Sequence, residues 1–469
     1  MSEQLKVGLC GAGAMGSGIA QVAAQAGCTV VVYDTFAPSR EKSESAIAKD
    51  LAKSVERGRL SADAAVAVRA SLSWTGEVAG LAGCDLVIEA IIEQFDAKQG
   101  LFAQLEDLLA PDAVIASNTS SLPIGRLARG LKHPERFLGM HFFNPATVMK
   151  LVEVIPGPAT PPELAARIAG IAKSWGKVAV PVADVPGFIV NRVARPFYGE
   201  GLRAWQEGVA PELIDHLVKA AVGFRMGPLE LADMIGHDIN FAVARSVWDS
   251  YFGQTRFTPQ LVQAQLVDAG RLGRKSGRGV YDYSAGATPA APAPVSAEPL
   301  AGAPLRPETP SPALAPWDVA GVSLRFTRGR TARAEAAEAG CPVALIDWFD
   351  GANARAAGFA ASDESAAAVA AGVLAGWGLE PHRIADRPGL IVTRTLAQIA
   401  NAAGDAVHEQ VSDGEGIDNA LRFGVNYPFG PVAWGARIGA AALVATLANI
   451  AAATGQPLYN PSEHWSAQL

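Results

Sequence analysis

Histidine is scarce in this chain, seven among 469 residues, and one of them stands where a proton acceptor would be useful. His141 comes near the end of an apolar run, Phe137 to Phe143, that is followed by Asn144 and Pro145. Pro145 stops the run, so His141 and Asn144 fall at the carboxyl end of a strand, the edge where open parallel sheets hold their ligands. Glu153 lies inside the next apolar run, Leu151 to Ile155, where a carboxylate is costly unless it is paired. A short return through 145–150 would set Glu153 beside His141. The pair would be an imidazole base whose tautomer and charged form are held by a carboxylate. Spacing alone leaves a second reading open: a core histidine satisfied by a backbone carbonyl, and an edge glutamate facing water.

A second constellation sits near the N-terminus. LCGAGAMGSGIA sets Gly11, Gly13 and Gly16 between a short apolar run and a helical pattern, with Ala14 and Met15 inside the loop. Gly11 permits a tight turn, Gly13 lets a pyrophosphate approach the backbone, and Gly16 lets the helix lie close to the strand. The run Thr29 to Tyr33 then ends in Asp34, 18 residues after Gly16, near the spacing of the acid that binds ribose hydroxyls. An acid there repels a 2′-phosphate, which selects NAD over NADP. The bland alternative is a glycine turn that packs a helix and binds nothing.

These residues need an α/β frame. Strand-like runs at 5–10, 29–34, 86–91, 114–116, 137–143 and 151–155 alternate with helical stretches, the pattern of a mostly parallel sheet covered on both faces. The expected architecture is a Rossmann-type NAD-binding domain over 1–184, with a charged helical hairpin inserted at 38–72. An all-α domain follows over 185–284. Residues 285–316 are rich in Pro and Ala and read as an extended, poorly ordered linker. A small, reduced Rossmann-like unit at 317–384 and a second all-α domain at 385–469 complete the chain. The last part repeats the second: PGFIVNR at 186–192 returns as PGLIVTR at 388–394, and MGPLELAD at 226–233 as FGPVAWGA at 429–436. Glu207 and Glu409 follow the first motif at the same interval. A repeat of about 200 residues marks a duplicated domain.

Composition narrows the function. A net charge of −7 with 18% charged residues, and no run of like charge, gives no reason to expect nucleic acid. The four cysteines, Cys10, Cys28, Cys84 and Cys341, are far apart, so no zinc cage or disulfide framework is expected. The apolar stretch Ile438 to Gly455 falls short of a membrane span. No signal-peptide layout opens the chain, and a cytoplasmic enzyme is the expectation.

In this order and at these intervals, GAGAMGSGIA, SNTSSL, HFFNP, KLVEVI and PGFIVNR closely resemble the (S)-3-hydroxyacyl-CoA dehydrogenases, from about residue 5 to Tyr283 in GRKSGRGVYDY. The resemblance implies an NAD-dependent oxidation of a 3-hydroxyacyl-CoA to the 3-oxoacyl-CoA. In it His141 is the general base, and Glu153 orients it and balances its charge. Ser120 hydrogen-bonds the reacting oxygen, and Asn144 and Asn191 position the acyl group and nicotinamide. Glu93 and Lys98 match positions that touch the NAD ribose and phosphate, and Lys275 matches a further basic contact to the cofactor. No metal is implied.

The resemblance also places CoA near the inserted hairpin. There Lys42, Lys49 and Lys53 share one helix face, at i, i+7 and i+11; a solvated face is the competing explanation. The second half carries no second G-x-G-x-x-G and no second HFFNP, and Thr393 replaces the asparagine at the position matching Asn191. The tail therefore reads as a non-catalytic copy that covers the apolar face of the first helical domain, with a homodimer as the alternative cover. This extended layout resembles bacterial forms acting on 3-hydroxybutyryl-CoA or, in phenylacetate breakdown, 3-hydroxyadipyl-CoA. A dehydrogenase of a non-CoA hydroxy acid on the same scaffold is the competing activity. A cofactor-binding protein without catalysis is a third reading, disfavoured by the intact set of polar residues.

Overall fold

The aliphatic runs of the first half become the strands of one sheet. The computed structural model describes residues 5–284, 287 and 290–469. The chain divides into two bodies, Met1–Ile189 with Phe423–Val425, and Val190–Arg422 with Asn426–Leu469.

The first body runs β1 (Lys6–Cys10), α1 (Ala14–Gln25), β2 (Thr29–Tyr33), α2 (Ala37–Glu56), α3 (Ala62–Ala70), β3 (Leu72–Thr75), β4 (Leu86–Glu89), α4 (Phe95–Leu108), β5 (Val114–Ser117), α5 (Ile124–Ala128), β6 (Phe137–Phe142), β7 (Leu151–Pro156), α6 (Pro162–Ser174) and β8 (Val178–Pro181). The strands lie in the order β3-β2-β1-β4-β5-β6-β7-β8. All neighbours pair parallel except β6 with β7. A parallel return needs a crossover of a dozen or more residues, and 143–150 is too short to supply one. The antiparallel register sets His141 directly opposite Glu153. Chain order reverses at β1, with β2 on one side and β4 on the other, so a ligand crevice opens at the carboxyl end of β1. Val7, Leu9, Val30, Ile88, Leu138 and Val154 are buried between the helical layers.

The inserted hairpin is α2 and α3. Leu72, expected in the hairpin, instead opens β3 and pairs with Val30. The Pro181–Pro186 punctuation hides β8, which pairs only with β7. An edge strand tolerates the terminal proline.

The second body opens with α7 (Val190–Val193), α8 (Arg195–Gln206), α9 (Pro211–Val222), α10 (Pro228–Ile235), α11 (His237–Ser250) and α12 (Leu261–Asp268). The small unit follows as β9 (Trp317–Val319), β10 (Val322–Phe326), α13 (Ala332–Ala339), β11 (Val343–Ile346), β12 (Ala356–Ala361), α14 (Glu364–Gly376) and β13 (Glu380–Arg383), with strand order β13-β12-β11-β10-β9. The tail is α15 (Val392–His408), α16 (Gly414–Gly424), α17 (Pro431–Ile438), α18 (Ala440–Thr454) and α19 (Glu463–Ser466).

The Pro/Ala-rich segment departs from the expectation of poor order. Its described residues 290–316 form no helix or strand, yet they dock on the small sheet. Trp348 and Trp377 donate their indole N–H to the carbonyls of Pro310 and Pro304, and the Val295 and Leu300 amides donate to Pro381 and Gly372. Extended proline-rich backbone leaves its carbonyls unpaired, and the indole N–H of a buried tryptophan needs an acceptor.

The duplication reaches further back than the motif repeat. Asp184 accepts from the first amides of α5, Ile124 and Gly125. Asp386, 202 residues later, accepts from the first amides of α13, Ala332 and Arg333. The strands β10 to β13 repeat the pairing pattern of β5 to β8, parallel, antiparallel, parallel. Within the second body α15 packs on α8 and is buried along almost its whole length, so the copy covers the first helical domain as expected. The repeats exchange charges: Arg192 meets Glu409 at 2.7 Å, and Arg394 meets Glu207 at 3.1 Å. On one side only, buried Glu200 also takes Arg394 at 2.9 Å and the Tyr459 hydroxyl at 2.8 Å. The matching positions on the other side are Ala402 and Phe257.

Among the described residues no single helix is long and apolar enough to cross a membrane. Helices α17 and α18 pass that test only as a pair bent by 98°.

Candidate active site

The glycine loop is shaped by three different constraints. Gly11 has φ 102°, and a Cβ there would lie 2.5 Å from the Ala90 carbonyl oxygen. A Cβ on Gly16 would lie 1.8 Å from the Gly11 carbonyl oxygen. A Cβ on Gly13 would meet none of the other described residues within 4 Å, so that position looks onto open space. No side chain caps α1, and its first turn holds no acid. Its N-terminal N–H groups and partial positive charge therefore suit an anion. Gly13 and Ala14 are exposed and Met15 half-buried. Asp34 follows β2. Its Oδ2 accepts from the Ala12 amide at 2.8 Å and its Oδ1 from the Phe36 amide at 2.9 Å. A carboxylate has about four acceptor sites, so two remain for ribose hydroxyls. A cleft of about 430 Å³ runs beside this loop, lined among others by Gly13, Ala14, Ser17, Lys42, Asn144 and Thr147. The residues fit a dinucleotide.

Across the sheet, His141 Nδ1 and Glu153 Oε2 lie 2.6 Å apart, and Glu153 Oε1 accepts from the Ile189 amide at 3.0 Å. Both side chains are buried, with 8% and 1% exposed. An ionised carboxylate only accepts, so Nδ1 carries the hydrogen and Nε2 is the basic nitrogen. The rings of Phe143 and Phe188 stand 4.5 and 5.8 Å from the imidazole and wall it with apolar surface.

The SNTSSL loop leaves the carboxyl end of β5. Asn118 ties it to β6 by accepting from the Phe142 amide at 2.8 Å. Glu93 gathers the rest, accepting from Thr119 Oγ1 at 2.7 Å and from the Ser120 and Ser121 amides at 2.9 and 3.1 Å. Burial alone would raise the Glu93 pKa. The Lys98 ammonium and these donors outweigh it and hold the carboxyl down at about 2.

Two of the expected basic contacts are ion-paired within the protein. The Lys98 ammonium is buried against Glu89 at 2.5 Å and Glu93 at 3.1 Å, because the two acids at and after the end of β4 need a cation. Lys275, in the second body, is taken by Asp238 at 2.5 Å. Of the hairpin lysines, Lys42 lines the cleft; Lys49 and Lys53 are exposed further along α2 and are not among its lining residues. Asn191 belongs to α7 of the second body.

Three residues escaped the sequence reading. Glu89 accepts from Lys98, Ser117 and the Ile91 amide; the signal was a carboxylate closing an apolar strand. Asn118 carried no signal beyond its motif. Lys177 donates to the carbonyls of Ala146 and Met149, and so holds the loop after Asn144. Burial pushes its pKa down to about 8.

In the second half, the position matching His141, fifth from the start of its strand, is Asp347. It is buried and accepts from the Ile391, Val392 and Thr393 amides and from the Thr393 hydroxyl. A carboxylate spent on the N-terminus of α15 leaves no base there, in keeping with a non-catalytic copy.

Comparison with known proteins follows the same division. Residues 6–185 match the NAD binding domain of 3-hydroxyacyl-CoA dehydrogenase. Residues 187–283 and 389–468 match its C-terminal domain, and 324–388 match the 3-hydroxybutyryl-CoA dehydrogenase reduced Rossmann-fold domain. The chain is 43% identical to a 3-hydroxyadipyl-CoA dehydrogenase of Escherichia coli, over 97% of this chain and 95% of the relative. It is 44% identical to a probable 3-hydroxybutyryl-CoA dehydrogenase of Bacillus subtilis, over 60% of this chain and 98% of that one. A crystal structure of a 3-hydroxybutyryl-CoA dehydrogenase from Escherichia coli superposes with a TM-score of 0.93 at 41% identity, covering 99% of this chain and 98% of the other.

Proposed function

Because the chain belongs to the 3-hydroxyacyl-CoA dehydrogenase family, we propose that it oxidises an (S)-3-hydroxyacyl-CoA to the 3-oxoacyl-CoA with NAD, using His141 as general base. The observation that carries the mechanism is the buried His141–Glu153 pair, 2.6 Å apart, on the sheet edge that also bears the glycine loop. When bound, NAD supplies the hydride acceptor. His141 Nε2 takes the proton of the 3-hydroxyl, and the O–H electron pair becomes the new C–O π bond as the C3–H pair departs. The imidazolium so formed faces the Glu153 carboxylate, which compensates its charge. In the reverse direction it returns the proton.

In this reading Ser120 hydrogen-bonds the reacting oxygen, and Asn144 and Asn191 position the acyl group. Lys42 meets a CoA phosphate. Glu93 and Lys98 shape the loop that carries Ser120. The names of the relatives support an acyl chain between butyryl and adipyl, in fatty-acid or phenylacetate breakdown. Four cysteines without a disulfide support a reducing, cytoplasmic setting.

The test is NADH formation with 3-hydroxybutyryl-CoA, 3-hydroxyadipyl-CoA and free 3-hydroxybutyrate. The CoA esters are expected to exceed the free acid in kcat/KM by about 10²-fold or more, since remote binding energy is used at the reacting centre. Equal rates on ester and acid would overturn the CoA assignment.

A further inference from the structure

Two histidines and a glutamate of the second body meet apart from the residues used above. His216 stands on α9. Glu380 and His382 stand on β13, the edge strand of the small sheet, at i and i+2, so both leave the strand on the same face. The two imidazole rings are 4.7 Å apart and tilted by 59°. Both Nε2 atoms look to one oxygen, Glu380 Oε2, at 3.5 Å from His216 and 3.8 Å from His382. One ligand atom from each residue can be chosen so that all three lie within 4.8 Å of one another. Ligands about 2.0–2.1 Å from a tetrahedral ion sit roughly 3.4 Å apart, so small side-chain adjustments close this set around a cation.

The hydrogen bonding points the same way. His382 has a side-chain exposure of 1%, yet among the described residues neither of its ring nitrogens, nor His216 Nε2, makes a well-formed hydrogen bond beyond the long approach to Glu380. Buried polar groups are nearly always satisfied, and exceptions ask for an explanation such as an ion. Burial holds both imidazoles below the ordinary histidine range, in the neutral form that binds metal. Lys219 and Arg355 add positive charge near His216, and Glu230 answers Lys219 at 3.0 Å. A cleft of about 160 Å³, lined among others by Glu212, His216, Lys219 and Tyr281, reaches the His216 side of the cluster.

We propose that His216, Glu380 and His382 bind a divalent transition-metal ion, Zn²⁺ by ligand type, which staples the first helical repeat to the edge of the small sheet. The ion has no part in hydride or proton transfer.

The experiment uses the full chain, stripped with a chelator and titrated calorimetrically with zinc chloride alone, with Co²⁺ as an optical probe. One equivalent is expected to bind at micromolar affinity or tighter, with the visible bands of four-coordinate cobalt and a Tm that rises with metal concentration. His216→Asn and Glu380→Gln alter side chains that are not fully buried, and each is expected to weaken binding by roughly 10²-fold while leaving metal-free NAD reduction unchanged. His382→Ala is expected to do the same; should it fail to fold, the other two variants carry the test. His141→Gln should bind zinc as the parent does. Absence of saturable binding, wild-type affinity in the His216→Asn/Glu380→Gln double variant, or binding lost in His141→Gln would each overturn the proposal.

Discussion

Replacing Glu153 by glutamine keeps the side chain's shape and alters its chemistry at one atom. Both carboxylate oxygens are acceptors, Oε2 for His141 Nδ1–H at 2.6 Å and Oε1 for the Ile189 N–H at 3.0 Å. An amide offers one accepting end and one donating end. If its oxygen faces the imidazole, its NH₂ faces the Ile189 N–H, and a buried donor goes unsatisfied at a cost of about 1–3 kcal/mol. If its oxygen faces Ile189, its NH₂ faces Nδ1, which must give up its hydrogen. Nε2 is then protonated and cannot act as a base. The second arrangement is the cheaper one, so the variant folds with the wrong tautomer. The general-base contribution of roughly 10²- to 10⁴-fold is forfeited, which is about 3–5 kcal/mol of barrier. Steady-state kinetics with 3-hydroxybutyryl-CoA should show this fall in kcat, while KM and NADH affinity, read by fluorescence titration, stay within a few-fold. His141→Gln should cost a similar factor, and the double variant little more than either, since the two act as a unit. A Glu153→Gln enzyme within three-fold of the parent kcat, with an unchanged pH profile, would refute the claim that the carboxylate sets the tautomer.

Asp34→Gly removes the ribose acceptor and its charge, and leaves Arg40, which donates to the Asp34 carbonyl, able to meet a 2′-phosphate. The NAD/NADP ratio of kcat/KM should shrink by roughly 10- to 100-fold, and an unchanged ratio would remove Asp34 from cofactor choice. Lys42→Ala should raise KM for the CoA ester several-fold whereas Lys53→Ala should not; equal effects would mean that the cleft beside Lys42 is not the CoA site. Lys177 has a folded pKa of about 8 against 10.5 for the free side chain, so between those values the unfolded chain holds more protons and stability rises with pH. Relative to Lys177→Met, the parent's Tm should therefore climb across pH 8 to 10.5; parallel melting curves would count against the buried charge. Glu200→Ala strips fully buried Arg394 of one of its two carboxylates and should destabilise the second body by about 3 kcal/mol in urea unfolding, a loss below 0.5 kcal/mol being incompatible with a buried pair at that interface.

The site was legible in the sequence where local rules fix three-dimensional outcome. The return from Phe143 to Lys150 is too short for a crossover, which forces antiparallel pairing and brings His141 to Glu153. The glycine spacing follows from clashes within one turn. Legibility ended where partners are distant. No local rule joins Glu89 to Lys98 nine residues on, because a strand end and the following helix meet only in the fold. The helical wheel put Lys42, Lys49 and Lys53 on one face but ignored height: at 1.5 Å per residue Lys53 lies about 16 Å further along the axis than Lys42. Composition marks 285–316 as an extended, poorly ordered linker, since the carbonyls of its described part that accept from Trp348 and Trp377 find those donors only once the indoles are placed. Strands β3 and β8 are four residues each, too short for an alternation to register.

The exchange of charges between the two helical repeats has a consequence for how this chain can change over generations. In a dimer of identical subunits with two-fold symmetry, a codon change at the interface is made twice, facing its own image, so a residue that suits only one side is not accessible. Here the two sides are encoded separately. Glu200 can enter opposite Arg394 and Tyr459 while Ala402 and Phe257 keep the matching positions, with the Phe257 ring beside Arg192. Thr393 can give up the asparagine that Asn191 retains. A single point mutation thus samples half an interface at a time, and the half without the base is free to drift toward packing while the other stays bound to its chemistry.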